Sequence, residues 1–324
     1  MTTSHSLRLL ALHFAPLILF AALIAFFGIQ SERFLTIANL INILTQSSHV
    51  AIIAIGMTFV LLVGGIDLSV GANMYLAVAL LGLYLKSFPA VLSFPITIAF
   101  GLAFGVLNGL IITQLRVAAF ITTLATLFVG RGLAIYCTGT KGVFFNQEIL
   151  AIGRAAWFGV PSGIWALAAV FIVAFVVLRQ TSFGREVYAV GADAEGAAKA
   201  GINVRRVLFA VYCIAGVCAA IGGIVSASQV AAAYSTFGLQ KEFPVIAAAV
   251  LGGTSLFGGR GGVVGTVLGS VLIQTVGSGL VMLNANPYAY PLIISVIIFV
   301  AVFIDSQRTA LLARLERRKV RVEA

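Results

Sequence analysis

The sequence predicts an all-α fold, a polytopic bundle of membrane-spanning helices, and two observations support this prediction. The chain of 324 residues is 61% hydrophobic and only 9% charged, whereas about 25% of the residues in a soluble domain are charged. Continuous apolar runs of roughly 20 residues, long enough to cross about 30 Å of hydrocarbon, recur along the chain. An outer-membrane barrel would instead show segments of about ten residues with alternating polarity, and it is therefore excluded.

Ten apolar runs are predicted to cross the membrane, which places both chain ends on the same side. They cover 9–28, 48–64, 69–85, 91–113, 117–138, 163–179, 207–229, 243–258, 262–283 and 288–305. With both termini in the cytoplasm, fourteen of the 20 Lys and Arg residues fall in cytoplasmic segments and five outside. The positive-inside rule favours this orientation. The net charge of +10 and the basic cytoplasmic tail 306–324 then suit a lipid surface and do not require nucleic acid.

The chain is predicted to form one transmembrane domain, residues 1–324, because no segment outside the membrane is long enough to fold alone. Residues 139–162 form a periplasmic loop, and residues 180–206 form the longest cytoplasmic loop. No catalytic residues and no cofactor are expected. The chain lacks the Lys-Ser/Thr of a phosphate-binding loop, and its three cysteines show no metal-ligand spacing, so no metal site is expected either.

The cytoplasmic loop contains the pattern of one short capped helix over 194–200. Asp193 is a suitable N-cap, and Gly201 is a suitable C-terminal stop. Glu195 near the start and Lys199 near the end suit the helix dipole and are spaced i,i+4. The pattern allows two interpretations, a docking element for a peripheral partner or an ordinary solvated loop.

Two of the predicted spans carry glycine at every fourth position, a spacing that lets helices approach closely. The glycines are Gly101, Gly105, Gly109, Gly261, Gly265 and Gly269. Packing within the chain is favoured over a subunit interface. Two segments, 64–71 and 252–259, also share the pattern Gly-Gly-x-x-Leu-x-x-Gly. An inverted repeat could produce this echo, but coincidence is at least as plausible in a chain with 34 glycines.

Asp67 is the only acidic residue near the predicted membrane interior. It is either a charged group inside the membrane or the polar turn between two spans. We favour the turn, in which Asp67 acts as an N-cap and accepts a hydrogen bond from the amide of Ser69 or Val70. In that position Asp67 fixes a helix junction that moves during transport.

Four further polar residues lie inside predicted spans and are candidates for the translocation path. A cation at the depth of Arg131 costs several kcal/mol without a partner or a water-filled path. Arg131 therefore either lines the path or orders it by pairing, or else it snorkels or bonds helix-end carbonyls, and both interpretations stay open. For Asn73, Asn108 and Gln274, hydrogen bonding between helices is favoured over contact with a solute.

Four segments of the chain resemble, in order, motifs of the permease subunits of ATP-binding-cassette (ABC) sugar importers of the ribose/xylose/galactose type. They are GMTFVLLVGGIDLSVG at 56–71, AAFITTLATLFVGRGLA at 118–134, TSFGREVYAVGADAEGAAKAGINVRRV at 181–207 and VLGGTSLFGGRGGVVGTVLG at 250–269. Two positions depart from the family pattern. Ala118 stands in place of a proline and Ala125 in place of a glycine, which affects the local bend of the fifth span.

This resemblance implies a monosaccharide permease of the bacterial inner membrane. It would pair with a second permease subunit as a homo- or heterodimer, dock cytoplasmic ABC ATPase subunits and receive sugar from a periplasmic binding protein. The residues implied in coupling to the ATPase are Gly184, Arg185, Asp193, Glu195, Gly196, Lys199 and Gly201. The alternatives are a permease for branched-chain amino acids or another small polar solute, and an ion-coupled secondary transporter in which Asp67 carries a proton or sodium ion.

Overall fold

The computed structural model describes residues 15–289, 291–296, 299–300 and 303, and most of this part of the chain is helical. The described α-helices are α1 (Ala15–Gln30), α2 (Ile37–Leu62), α3 (Val70–Leu80), α4 (Ala90–Thr113), α5 (Ala119–Thr138), α6 (Gln147–Arg154), α7 (Ser162–Gln180), α8 (Ser182–Ala192), α9 (Ala194–Lys199), α10 (Val204–Val230), α11 (Glu242–Leu251) and α12 (Val263–Met282). A π-helical turn, Leu81–Leu85, continues α3, and a short 3₁₀ turn covers Pro287–Ala289.

Six of the described helices, α2, α4, α5, α7, α10 and α12, are long and apolar enough to cross a membrane. Three shorter apolar helical stretches accompany them, at Phe20–Gln30, Val70–Leu85 and Glu242–Leu251. The all-α membrane class is therefore confirmed. Residues 9–14 of the first predicted span and seven residues of the last predicted span, 288–305, lie outside the described residues.

The predicted start of the second span, residue 48, was wrong, because α2 already begins at Ile37. Polar side chains lower the hydropathy of this first part, but several of them bond to the helix that carries them. Thr45 Oγ1 donates to the Ile41 carbonyl at 2.7 Å, and Ser48 Oγ donates to the Thr45 carbonyl at 2.6 Å. Hydroxyls satisfied in this way do not interrupt an apolar helix.

The predicted span 243–258 was also wrong, because α11 ends at Leu251 after 10 residues. A helix of that length covers only about 15 Å, half of a hydrocarbon layer. Gly253, at φ +85°, ends it with a Schellman motif. Its amide donates to the Val250 carbonyl at 2.8 Å, and the Thr254 amide donates to the Ala249 carbonyl at 2.9 Å.

The three glycines of α4 form the face on which α10 packs. A Cβ added at Gly101 would collide with Ala220, one at Gly105 would collide with the Tyr212 carbonyl, and one at Gly109 would lie 2.9 Å from Phe209 Cδ2. In α12, Gly265 and Gly269 likewise face the backbone of Gly252 and Ala248. Both glycine stripes therefore serve packing within the chain, as favoured from the sequence.

The segment 139–162 contains short ordered elements. Strand β1 (Val143–Phe144) pairs antiparallel with β4 (Ala232–Ala233), and β2 (Ala156–Trp157) pairs antiparallel with β3 (Val160–Pro161). Asn146 caps α6 by accepting a hydrogen bond from the Ile149 amide at 2.9 Å.

The chain divides into two compact units. One comprises residues 41–271, and the other comprises the residues before and after that range. In the latter unit, the Phe27 and Phe34 rings lie 5.3 Å apart, and Ser278 Oγ donates to Asn39 Oδ1 at 2.9 Å. Gln274 belongs to this unit and is half-buried in α12. All other candidate residues belong to unit 41–271.

Candidate functional site

Asp67 lies in the non-helical junction between α2 and α3, and its side chain is only 2% exposed. Its Oδ1 accepts two hydrogen bonds from Ser69, from the amide at 2.8 Å and from the hydroxyl at 2.6 Å. The predicted bond from the Ser69 amide is therefore present. The capping position itself belongs to Ser69, because α3 begins at Val70, so Asp67 stabilises the turn just before the helix.

A chain of buried hydrogen bonds extends from Asp67 to the helices α4 and α5. Ser69 Oγ donates to Asp67 and accepts from Asn108 Nδ2 of α4 at 2.8 Å, and Asn108 Oδ1 accepts from Thr126 Oγ1 of α5 at 2.7 Å. Thr123 Oγ1 of α5 also donates to the Ile66 carbonyl at 3.2 Å. The junction is thus fastened to α4 and α5, and these bonds fix the path of the chain between α2 and α3.

Asn73 lies where α3, α4 and α10 meet. Its Nδ2 donates to the carbonyls of Gly101 at 3.2 Å and Gly216 at 3.3 Å. Because both acceptors are glycines, the backbones of α4 and α10 come close enough for one amide to reach both. This geometry is that of an interhelical hydrogen bond, the interpretation favoured from the sequence.

Arg131 is half-buried in α5 and holds the segment between β4 and α11. Its Nη1 donates to the Ser235 carbonyl at 2.8 Å, its Nη2 donates to the Phe237 carbonyl at 3.1 Å, and its guanidinium lies 5.4 Å from the centre of the Tyr75 ring. The planar guanidinium suits two neighbouring carbonyls and an aromatic face at once. In the described part of the chain, Lys199 and Glu195 form the one ion pair with a nitrogen–oxygen distance within 4 Å. Arg131 is therefore held by the two backbone carbonyls and the Tyr75 ring and not by a carboxylate.

Sequence reasoning missed the hydroxyls of Ser69, Thr123 and Thr126 in the buried network and the Tyr212 hydroxyl beside it. Ser69 and Thr126 both lie inside recognised motifs, but their hydroxyls gave no signal on their own. The Tyr212 hydroxyl of α10 is buried without a hydrogen-bond partner among the described residues. A Cβ added at Gly65 would lie 2.6 Å from that hydroxyl, which places Tyr212 beside the junction that carries Asp67. A lone tyrosine in an apolar run was the available clue.

The segment 180–206 contains two helices, whereas the sequence predicted one. The additional helix, α8, begins after Thr181, whose Oγ1 accepts a hydrogen bond from the Gly184 amide at 3.2 Å. Gly184 lies against the last turn of α7, where a Cβ would collide with the carbonyls of Val177 and Leu178. Arg185, one position further, is exposed.

The predicted helix over 194–200 is confirmed as α9, with its caps. Asp193 Oδ1 accepts from the Glu195 amide at 3.1 Å, and the Glu195 carboxylate lies 2.8 Å from Lys199 Nζ. Gly201, at φ +87°, ends the helix in a second Schellman motif. The side chains of Lys199 and Glu195 are 75% and 80% exposed, so their pairing contributes little stability and leaves α9 accessible to a partner.

The other candidate residues of this segment serve its geometry. A Cβ added at Gly196 would meet the side chain of Asp193, so glycine there leaves the capping carboxylate in place.

Burial raises the pKa of the Tyr188 phenol in α8, with Arg179 opposing the shift. The Tyr188 hydroxyl donates to the Gly261 carbonyl at 2.9 Å. Within the described residues, no group of three His, Cys, Asp or Glu side chains could hold a metal ion.

Comparisons with known proteins identify related transport proteins. The family described as branched-chain amino acid transport system permease component matches residues 39–303. The ribose import permease proteins of Escherichia coli K12 and Bacillus subtilis 168 are 37% and 38% identical to this chain, over 90% and 89% of its length and 93% and 91% of theirs. The galactose/methyl galactoside import permease protein of Haemophilus influenzae is 35% identical, over 93% of this chain and 94% of its own. No solved structure matches the chain.

Proposed function

The chain belongs to the family of branched-chain amino acid transport system permease components, and from this premise we propose that it is the permease subunit of an ABC importer for a monosaccharide. It is a transporter subunit of the bacterial inner membrane and not an enzyme. The observation that carries the proposal is the similarity to ribose and galactose import permeases, which extends over about nine-tenths of both chains. The resemblance of the four motifs is thereby confirmed.

The proposed assembly contains a second permease subunit, homo- or heterodimeric, two cytoplasmic ATPase subunits and a periplasmic sugar-binding protein. The sequence offers no phosphate-binding loop for ATP, so hydrolysis takes place on the partner. The chain forms one transmembrane domain of about ten transmembrane helices, among which the short α11 crosses only together with the connection that follows it, and both termini lie in the cytoplasm. Residues 139–162 then face the periplasm, and 180–206 and the tail 306–324 face the cytoplasm.

Coupling to the ATPase is assigned to α8 and α9. The helix α9 is short, capped at both ends and exposed, which are the properties of a rigid element that fits a groove on a partner. The residues proposed for coupling are Gly184, Arg185, Asp193, Glu195, Gly196, Lys199 and Gly201. Closure of the ATPase subunits on ATP displaces this element, and its displacement drives alternating access.

The translocation path is assigned to the polar residues of the bundle. Asp67 and Asn108 hold the junction between α2 and α3, Asn73 ties α3 to α4 and α10, and Arg131 holds the segment that precedes α11. Gln274 of α12 is the fifth candidate. The role of Asp67, Asn108, Asn73 and Arg131 is to position helix breaks around the path.

The substrate class is tested by identifying the binding protein that co-purifies with the complex. We expect ribose or galactose to raise its melting temperature and leucine to leave it unchanged. A shift with leucine alone would replace the sugar assignment by the branched-chain amino acid alternative, which the relatives do not favour. Absence of any co-purifying ATPase would contradict the importer itself.

The coupling assignment is tested with Glu195→Lys in the complete complex. Removing an exposed ion pair costs about 0–1 kcal/mol, so the variant subunit folds, and a loss of uptake reports the contact of α9 with the partner. We expect hydrolysis of ATP to continue while sugar uptake falls. Arg33→Glu, also a charge reversal but far from this segment in sequence, is the matched control. Normal uptake by Glu195→Lys would remove α9 from the coupling mechanism.

A further inference from the structure

Three glycine-containing segments that are far apart in sequence meet at the C-terminal end of α8. They are the end of α2 with Gly64, the end of α8 with Gly191, and the connection from α11 to α12 with Gly258 and Gly259. The Gly259 amide donates to the carbonyl of Leu62, the last residue of α2, at 2.9 Å. We call this contact, formed by residues 62–64, 191–192 and 258–261, the glycine joint.

The joint is made of main-chain atoms without space between them. A Cβ added at Gly191 would collide with the Leu62 carbonyl and lie 2.6 Å from the Gly259 nitrogen. A Cβ added at Gly258 would lie 2.7 Å from the Gly191 carbonyl oxygen and 3.0 Å from the Gly64 nitrogen. No flexible side chain stands at these contacts to absorb a displacement, so movement of one segment must move the others.

The joint lies beside two interruptions of the helical bundle, the junction between α2 and α3 and the connection between α11 and α12. We call these the two helix breaks. On one side, Leu62 and Gly64 lead directly into the junction that carries Asp67. On the other side, Gly258 and Gly259 belong to the connection that follows the short helix α11. Tyr188 of α8 adds a further bond, from its hydroxyl to the Gly261 carbonyl at 2.9 Å. The helix α8 thus contacts the end of α2 and the connection between α11 and α12 directly, and not only through its covalent neighbours α7 and α9.

We propose that the glycine joint transmits displacement of α8 and α9 to both helix breaks at once, with Gly191 as its positioning residue. The inference rests on the proposed function, because the displacement comes from the ATPase. The inference assigns to the glycine joint the transmission of movement to the helix breaks, whereas α9 alone provides only the contact with the ATPase. The ATPase displaces α9, which is docked on it. The joint then passes this displacement on to the Asp67 junction and to the connection between α11 and α12.

The test substitutes Gly191→Ala and compares it with two glycine-to-alanine controls. A Cβ at Gly262 would meet only the Tyr188 hydroxyl at 3.7 Å, and a Cβ at Gly132 would meet nothing within 4 Å. In the reconstituted complex, we expect Gly191→Ala to keep ATP hydrolysis and to lower the ratio of sugar imported to ATP hydrolysed at least about fivefold, the lower range of coupling between sites. Gly262→Ala and Gly132→Ala keep the wild-type ratio.

A milder variant and a readout independent of transport complete the test. Tyr188→Phe removes one bond of the joint and adds no atoms, so a smaller fall in the ratio is expected. Hydrogen exchange in the purified subunit should rise in both 63–69 and 252–262 on Gly191→Ala, and in neither segment on Gly262→Ala. Exchange that rises only within 182–201, or a normal ratio in Gly191→Ala, would refute the joint. Wild-type complex without ATP-dependent uptake would instead contradict the proposed function, and hydrogen exchange would still test the joint.

Discussion

Asp67 provides the sharpest test of how the junction between α2 and α3 is held. Both hydrogen bonds that Asp67 accepts from Ser69 end on the same oxygen, Oδ1. Asparagine can keep an acceptor oxygen in that position and remove only the charge. Alanine removes the acceptor and leaves the buried Ser69 amide unpaired. The pair of variants Asp67→Asn and Asp67→Ala therefore separates hydrogen bonding from charge.

The two variants should differ clearly in stability. A side-chain hydrogen bond inside a membrane bundle contributes about 0.6 kcal/mol on average and about 1.7 kcal/mol at most, and an unpaired buried amide costs about 1–3 kcal/mol. Loss of two bonds with one unpaired amide gives about 2–6 kcal/mol for Asp67→Ala. Asp67→Asn keeps both bonds in the weaker neutral form, so we expect a loss of about 1 kcal/mol.

The assay is denaturant unfolding of the purified subunit in detergent, together with sugar uptake measured across a range of pH. Asp67→Ala should lose more stability and more uptake than Asp67→Asn, and the pH dependence of Asp67→Asn should match the wild type. Equal losses in both variants would refute the hydrogen-bond explanation. A pH dependence that disappears in Asp67→Asn would favour an ion-coupled transporter with Asp67 as its ion site.

The remaining predictions concern single contacts. Arg131→Gln should release the segment 234–241, because two bonds to carbonyls and a cation–π contact are lost, and hydrogen exchange there should rise more than in Arg131→Lys, which keeps the charge. A normal exchange rate would contradict this role. Gly105→Leu should destabilise the bundle by at least about 1–3 kcal/mol through overpacking against α10, measured as a lower melting temperature in detergent. Gly132→Leu, which points into open space, is its control, and equal melting temperatures would contradict the packing.

Local signals were the part of the structure that the sequence predicted best. The caps of α9 and the pair Glu195–Lys199 depend on residues at most four positions apart, and these contacts form wherever the helix is placed. The helix α8 was missed because its 11 residues mix polar and apolar side chains and no strong stop separates it from α9. Its N-cap, Thr181, was the signal that could have revealed it.

Tertiary contacts of backbone atoms were beyond prediction from one sequence. The shared pattern in 64–71 and 252–259 could be read, but the two segments take up different conformations. The first glycine of the pair has positive φ in the former, at Gly64, and the second has positive φ in the latter, at Gly253. The shared sequence pattern therefore does not correspond to two segments with the same backbone conformation at matching positions. That Gly191 contacts Leu62, just before the first segment, and Gly259, at the end of the second, depends on packing, which residue types alone do not encode.

The central claim, ATP-driven import of a monosaccharide, is tested most directly by uptake into proteoliposomes. The vesicles contain the complete complex with its binding protein, and labelled ribose, galactose and leucine are offered with and without internal ATP and with an ionophore. We predict uptake of ribose or galactose that requires ATP and is unchanged by the ionophore. Uptake that proceeds without ATP and collapses with the ionophore would contradict the claim.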